Sequence, residues 1–364
     1  MLQKDDGNLP GQGIRMSGVP REWAGSDGFE DRRPWRGHQV GGPLAIEVHA
    51  LTKRYGEFIA VNEVDFSVNQ GEVFAFLGPN GAGKSTTIKM LCTLAHPSSG
   101  RAVVAGHDVT TRAKAVRKHI GLVFQEQTLD DQLTAEENLR FHAVLYGVPR
   151  DQVGRRITRV LDLVALSDRR GDLVSTYSGG MARRLEIARG MLHTPKVLFL
   201  DEPTIGLDPQ TRALMWEDVL RLREEEGVTI FLTTHYMDEA EYADRTAITD
   251  HGAIAVLDTP DALKALVGAD TVSLETTDDD AALASLKRAG YKVEPTEHGL
   301  TAFVSDEETA VGPLIAAVGV PVRTVRAHRP TLDDVFLHFT GREIREQHGE
   351  PVTMFARAHG ARRS

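Results

Sequence analysis

The sequence predicts an α/β domain built on a largely parallel sheet, followed by a small α+β domain of ferredoxin-like order βαββαβ. Three observations lead there. Over residues 44–267, short apolar runs alternate with amphipathic stretches, as strands and helices do when they take turns along a chain. A glycine-rich loop, Gly78-Pro79-Asn80-Gly81-Ala82-Gly83-Lys84-Ser85, stands between an apolar run at 72–77 and a helical stretch at 86–94. After Gly268, strand-like runs at 272–276, 291–294, 300–304 and 320–325 enclose helical stretches at 279–289 and 306–318.

Taken in order, residues 1–43 are crowded with Gly, Pro, Asp and Arg and have no apolar period. Such a segment cannot offset its ordering entropy, so it reads as a disordered arm, with Met16 inside it as an alternative start. Residues 44–267 form the main domain, and 127–193 a helical insertion within it. There Thr134 and Glu137 make a capping box, with Leu139, His142, Ala143 and Tyr146 following at helical spacing. Val153, Ile157, Val160, Leu161 and Val164 give a second stripe, and both stripes are assigned to the core. Residues 268–341 make the C-terminal accessory domain, and the charged stretch 342–364 a flexible tail.

Composition excludes several roles. A length of 364 residues suffices for two domains with their own cores. A net charge of -10 supplies no positive field for phosphate backbones, so nucleic acid is not an expected partner. The single cysteine, Cys92, has no partner for an internal disulfide and reads as a small buried hydrophobe. No leader-like opening signals export, so a reducing cytoplasm is expected. Apolar runs such as 197–200 and 314–318 fall short of the roughly 20 residues that span a bilayer, so any membrane role comes through a partner.

The glycine loop has the spacing of a P-loop in the required strand, loop, helix order. Gly81 and Gly83 let the backbone turn its amides inward, where they and the positive helix end surround phosphates. Lys84 adds a charge between β- and γ-phosphates, Ser85 offers a hydroxyl to Mg²⁺, and Thr86 stands beside the α-phosphate.

Three more apolar runs end in polar side chains. The run 197–200 ends in Asp201-Glu202. That puts two carboxylates at the carboxyl edge of a buried strand, where α/β sheets bind ligands. Asp201 suits the Mg²⁺ shell, and Glu202 suits deprotonation of an attacking water. His235 ends the run 228–234, where a histidine either donates to a γ-phosphate and orders the water or is structural. Gln125 ends the run 120–124, within reach of Mg²⁺ or the water if it is more than a loop residue. Asp208 before Pro209 caps a helix that Gly227 closes, and capping alone could explain it. Tyr55 either stacks on adenine or marks a surface turn.

Ser178-Gly179-Gly180 opens another helix and offers a second anion-grade helix end. One chain thus holds two phosphate-grade ends and one P-loop. Two copies head to tail resolve this, each serine turn closing over the nucleotide of the other. A soluble clamp on nucleic acid or ribosomes and a small-molecule kinase are rival readings. The acidic balance weighs against the first, and the Ser-Gly-Gly end has no use in the second.

The ordered set Tyr55, Gly78 to Thr86, Gln125, Ser178-Gly179-Gly180, Asp201-Glu202, Asp208 and His235 resembles an ABC ATPase. The resemblance implies a P-loop NTPase core with a helical insertion subdomain and ATP with Mg²⁺ as ligands. By that likeness Tyr55 stacks on adenine, Gln125 is the Q-loop, Ser178 to Met181 the signature, Asp208 the D-loop and His235 the switch histidine. Tyr177 and Met181 depart from the common Leu-Ser-Gly-Gly-Gln signature but leave the serine hydroxyl and glycine amides in place. These departures, with Met181-Ala182-Arg183-Arg184-Leu185 and the later Arg329-Pro330-Thr331-Leu332-Asp333-Asp334-Val335-Phe336, are similar to the daunorubicin-resistance group of bacterial drug exporters. That narrower likeness implies a homodimer working with a separate polytopic membrane permease, at the cytoplasmic face of the membrane, to export a hydrophobic drug or antibiotic-like compound.

Overall fold

In the computed structural model, residues 42–341 are described, apart from 269, 297–298 and 305–306. The expected tail at 342–364 lies outside the described residues, as does the expected arm except for its last two residues. A six-stranded sheet in the order β10-β9-β3-β8-β7-β6 organises the first part of the chain. Its strands β3 (Val73–Leu77), β6 (Ile120–Val123), β7 (Val197–Asp201), β8 (Thr229–Thr234) and β9 (Arg245–Asp250) run parallel, and β10 (Ala253–Asp258) closes one edge antiparallel to β9. Every residue of β3, β7 and β8 is buried. Both faces of these strands are covered, which is why they read as unbroken apolar runs rather than alternating ones.

The two faces differ in what they bury. Phe74, Phe76, Phe199 and Phe231 point to one side, where the first two and Phe231 meet Phe66 and Phe199 meets Phe231, with ring centroids 5.4 to 5.9 Å apart. Ala75, Leu77, Leu198, Leu200, Ile230 and Leu232 point to the other, among Leu185, Ala188, Trp216 and Val219. Phe66 belongs to a second sheet, which the sequence pattern did not separate from the first. It is antiparallel, in the order β2-β1-β4-β5, from β1 (Leu44–Tyr55), β2 (Phe58–Asn69), β4 (Ser99–Val104) and β5 (His107–Asp108). The expected largely parallel sheet is therefore accompanied by an antiparallel one, because β1 and β2 form a long hairpin whose partner β4 returns from beyond α1 (Lys84–Leu91).

Helix α2 (Ala113–His119) leads into β6, and three helices fill the span before β7: α3 (Ala135–Leu145), α4 (Arg150–Leu163) and α5 (Gly179–Met191). The capping box at α3 forms as its residues dictate, with Glu137 accepting from the Thr134 N–H at 2.9 Å and donating its own N–H back to the Thr134 hydroxyl. Leu139 and Ala143 are buried, yet Phe141, Val144 and Leu145 on the same helix are each more than half exposed. Helix α6 (Pro209–Glu226) ends at Gly227, whose left-handed φ of 63° closes it. Helix α7 (Met237–Ala240) leads into β9, and α8 (Pro260–Val267) follows β10.

The last segment makes a four-stranded antiparallel sheet in the order β12-β13-β11-β14. Its elements are β11 (Asp270–Thr276), α9 (Asp279–Arg288), β12 (Lys292–Thr296), β13 (Gly299–Val304), α10 (Glu307–Val318) and β14 (Val322–His328). This is the ferredoxin-like order, with Val272, Leu274, Ala302 and Val304 packed on Ala282, Leu286, Leu314 and Val318. Helix α11 (Leu332–Thr340), started by a Thr331/Asp334 capping box, turns back to α8. There Leu332, Val335 and Phe336 join the same core as Leu263 and Ala243. Truncating a buried phenylalanine costs about 3–5 kcal/mol. Phe336→Ala should thus lower stability by that order in denaturant unfolding, and a loss under about 1 kcal/mol would contradict this docking.

Candidate nucleotide site

Strand register brings the predicted side chains to one edge. Leu77 pairs with Thr234 and Asp201 with Thr233, so the glycine loop, the two acids and His235 leave the sheet side by side. The loop itself needs its glycines. A Cβ on Gly78 would lie 2.3 Å from the Thr249 carbonyl oxygen, and one on Gly83 would lie 2.4 Å from that of Ala60, with Gly83 at φ 95°. Helix α1 starts there with no side chain capping it. Its first amides are therefore free to meet an anion.

Lys84 is buried, and its ammonium donates to the carbonyls of Gly78 at 2.7 Å and Pro79 at 3.1 Å. It also stands 3.2 Å from Glu202 Oε1. On the other side, Glu202 Oε2 lies 3.4 Å from His235 Nδ1. Burial opposes charge on both partners, and each partner favours charge on the other. For Lys84 burial wins and the pKa falls below its ordinary value despite Glu202 and Asp201. For Glu202 burial pushes up, but His235 and Lys84 outweigh it and the carboxyl sits below its ordinary value. Glu202 is thus held ionised, the form a general base needs. Its backbone has φ 46°, a strained value for a residue other than glycine.

Asp201 is fixed by hydroxyls: its Oδ1 accepts from Thr233 at 2.6 Å and from Ser85 at 3.1 Å. A serine hydroxyl beside one carboxylate is the hard-oxygen donor set that Mg²⁺ takes when phosphates supply further oxygens. Asn80, Gly81, Gly83, Lys84, Ser85, Thr86, Gln125 and Glu202 line one cavity of about 360 Å³ with Phe58 and Ala60. The last two were not foreseen. Tyr55 does not line this cavity, whereas Phe58, 64% exposed and paired with it across the β1–β2 turn, does. The signal available was an aromatic on each side of the Gly56-Glu57 turn.

A second cluster stands apart. Ser178 caps α5, accepting from the Met181 N–H at 3.3 Å. Asp208 caps α6, accepting from the Thr211 N–H at 3.0 Å and its hydroxyl at 2.6 Å. A Cβ on Gly180 would lie 2.3 Å from Thr211 Cγ2, so the two helix starts meet only because that residue is glycine. None of Ser178, Gly179, Gly180 and Asp208 lines the cavity at Lys84.

A parallel sheet whose carboxyl edge carries a glycine loop, a buried lysine and a hydroxyl–carboxylate pair defines a P-loop nucleotide-binding protein. Comparison with known proteins narrows the class. The family described as ABC transporter matches residues 61–205. The daunorubicin resistance ATP-binding protein DrrA3 of Streptomyces coeruleorubidus is 41% identical, over 83% of this chain and 97% of its own. The Nod factor export ATP-binding protein I of Burkholderia orbicola is 38% identical, over 83% of this chain and 98% of its own. A solved dimeric post-hydrolysis state of the ATP-binding cassette MJ0796, bound to ADP and Pi, superposes with a TM-score of 0.53 at 25% identity, covering 59% of this chain and 98% of that one. The chain belongs to the ABC transporter family, as one of its ATP-binding, ATP-hydrolysing subunits.

Glu239, on α7 just beyond His235, is buried, and burial pushes its carboxyl up to about 7. A raised acid favours the fold while protonated, so its contribution is present at low pH and lost as pH rises from about 4.5 to 7. Glu239→Gln should therefore raise the melting temperature relative to the parent at pH 8, with the gap narrowing by pH 5. An equal difference at both pH values would contradict a raised carboxyl.

Proposed function

We propose that two copies of this chain sandwich two MgATP molecules, each held by the P-loop of one copy and the Ser178 turn of the other. The observation that carries the reading is the separation within one chain of two phosphate-grade helix ends, one lining the Lys84 cavity and one outside it. Lys84 and the loop amides from Gly78 to Gly83 bind the β- and γ-phosphates, and Thr86 the α-phosphate. Ser85, Asp201 and Gln125 would hold Mg²⁺, which when bound neutralises charge on the phosphate oxygens. Tyr55, with Phe58 beside it, takes the adenine. Glu202 removes the proton of the attacking water, His235 supports the γ-phosphate, and Asp208 keeps the α6 start against the serine turn. Hydrolysis replaces one shared anion with two that repel, and the pair opens.

The subunit drives a separate membrane permease at the cytoplasmic face of the membrane, exporting a hydrophobic drug-like compound. Likeness to the daunorubicin resistance protein supports the cargo class, and exposed Phe141, Val144 and Leu145 on α3 support a protein partner. Among the described residues no helix is long and apolar enough to cross a membrane.

Two experiments test this. General-base action contributes about 10² to 10⁴ in rate. Glu202→Gln should fall by that order in turnover while running as a dimer on gel filtration with MgATP, and a monomer under those conditions would count against the sandwich. Phe141→Glu with Val144→Glu should leave basal ATP hydrolysis unchanged but abolish co-purification with the permease; retained co-purification would remove α3 from the interface.

A further inference from the structure

Helix α5 buries three charged side chains that the chemistry above does not use: Arg183, Glu186 and Arg189. Spaced three apart, they share one helix face. From Arg183, Nε donates to the Pro203 carbonyl at 2.7 Å, and Nη2 reaches the carbonyls of Asp201 at 3.3 Å and Glu202 at 3.4 Å. Its Nη1 donates to the Phe124 carbonyl and to Glu186 Oε2, the latter at 2.8 Å. Glu186 Oε1 in turn accepts from the Thr128 N–H at 2.8 Å and its hydroxyl at 3.2 Å, while Arg189 donates to the Thr128 carbonyl at 3.2 Å. One buried cluster thus grips the peptide units around Glu202 and both ends of the segment that carries Gln125. Only a planar fork with five donors serves so many acceptors at once; an ammonium on a flexible stem does not. Apolar side chains would pack such a helix without the desolvation cost of ions, so packing alone does not account for these charges.

We propose that Arg183, steadied by Glu186, is a positioning residue: it sets Glu202 and Gln125 together from the helix whose first turn faces the partner subunit's nucleotide. A shift of that helix then reaches both groups in one step. The proposal rests on the reading that Glu202 and Gln125 serve hydrolysis and that the Ser178 turn meets the nucleotide of the partner subunit.

The test uses the full chain with Arg183→Met and Glu186→Gln combined, which removes the fork without leaving a bare carboxylate in the core, and Arg183→Lys alongside. ATP affinity by titration, KM and kcat for ATP hydrolysis, and melting temperature are read for each. The expected result is a kcat at least ten-fold lower, with ATP affinity and KM within two-fold of the parent. Arg183→Lys should be intermediate, since it keeps the charge and part of the bonding. A smaller fall in kcat, or a loss of ATP affinity that matches the loss of kcat, overturns the proposal. Should the double variant fail to fold, the same criterion of lower kcat at unchanged KM is applied to Arg183→Lys. Glu202→Gln serves as the control: wild-type turnover in that variant sinks the catalytic reading and this one with it. A slow Glu202→Gln beside Arg183 variants of normal kcat sinks only the positioning role.

Discussion

The register of three parallel strands, β3, β8 and β7, is the constraint on which the site depends. Leu77 opposite Thr234 and Thr233 opposite Asp201 mean that the loop, the histidine and the acids leave the sheet from three successive strands at one edge. That register is fixed by packing. A slip of one residue would turn Phe74, Phe76, Phe199 and Phe231 onto the helical face and the leucines of that face toward Phe66. The core therefore dictates where the chemistry stands.

At that edge the protein holds charges where a folding core alone would avoid them. Lys84, Asp201 and Glu202 are all buried, and a buried ion pair adds little to stability over well-packed apolar groups. Glu202 also sits at a positive φ. Backbone strain and desolvated charge at one residue mark a place where structure yields to chemistry. The compensation is local: Thr233 steadies Asp201, Lys84 and His235 steady Glu202, and Arg183 takes the carbonyls beneath them.

What could be read from the chain in advance is what local chemistry decides. The glycine loop, the strand ends at Asp201 and His235, the Thr134/Glu137 box and the Asp208 cap all follow from residue types a few positions apart. The strand and helix order of the last segment was legible for the same reason. The separate antiparallel sheet was not, since β1 pairs with β4 across two intervening strands, a loop and a helix. Phe58 reaches the cavity through hairpin geometry, Arg183 finds acceptors on two distant segments, and α11 returns to a core begun long before it. Each depends on which surfaces meet, which spacing along the chain does not encode.

Separation of the two helix ends leads to the account's central claim, that a complete site needs groups from two chains. Family membership is consistent with this, and a dimeric cassette is among the solved structures the fold matches. The most direct measurement is a structure of the Glu202→Gln chain with ATP and magnesium. The account predicts Ser178 Oγ of one subunit within hydrogen-bonding distance of the γ-phosphate held by Lys84 of the other. Ser178 facing solvent, far from any phosphate while ATP fills the loop, would contradict it.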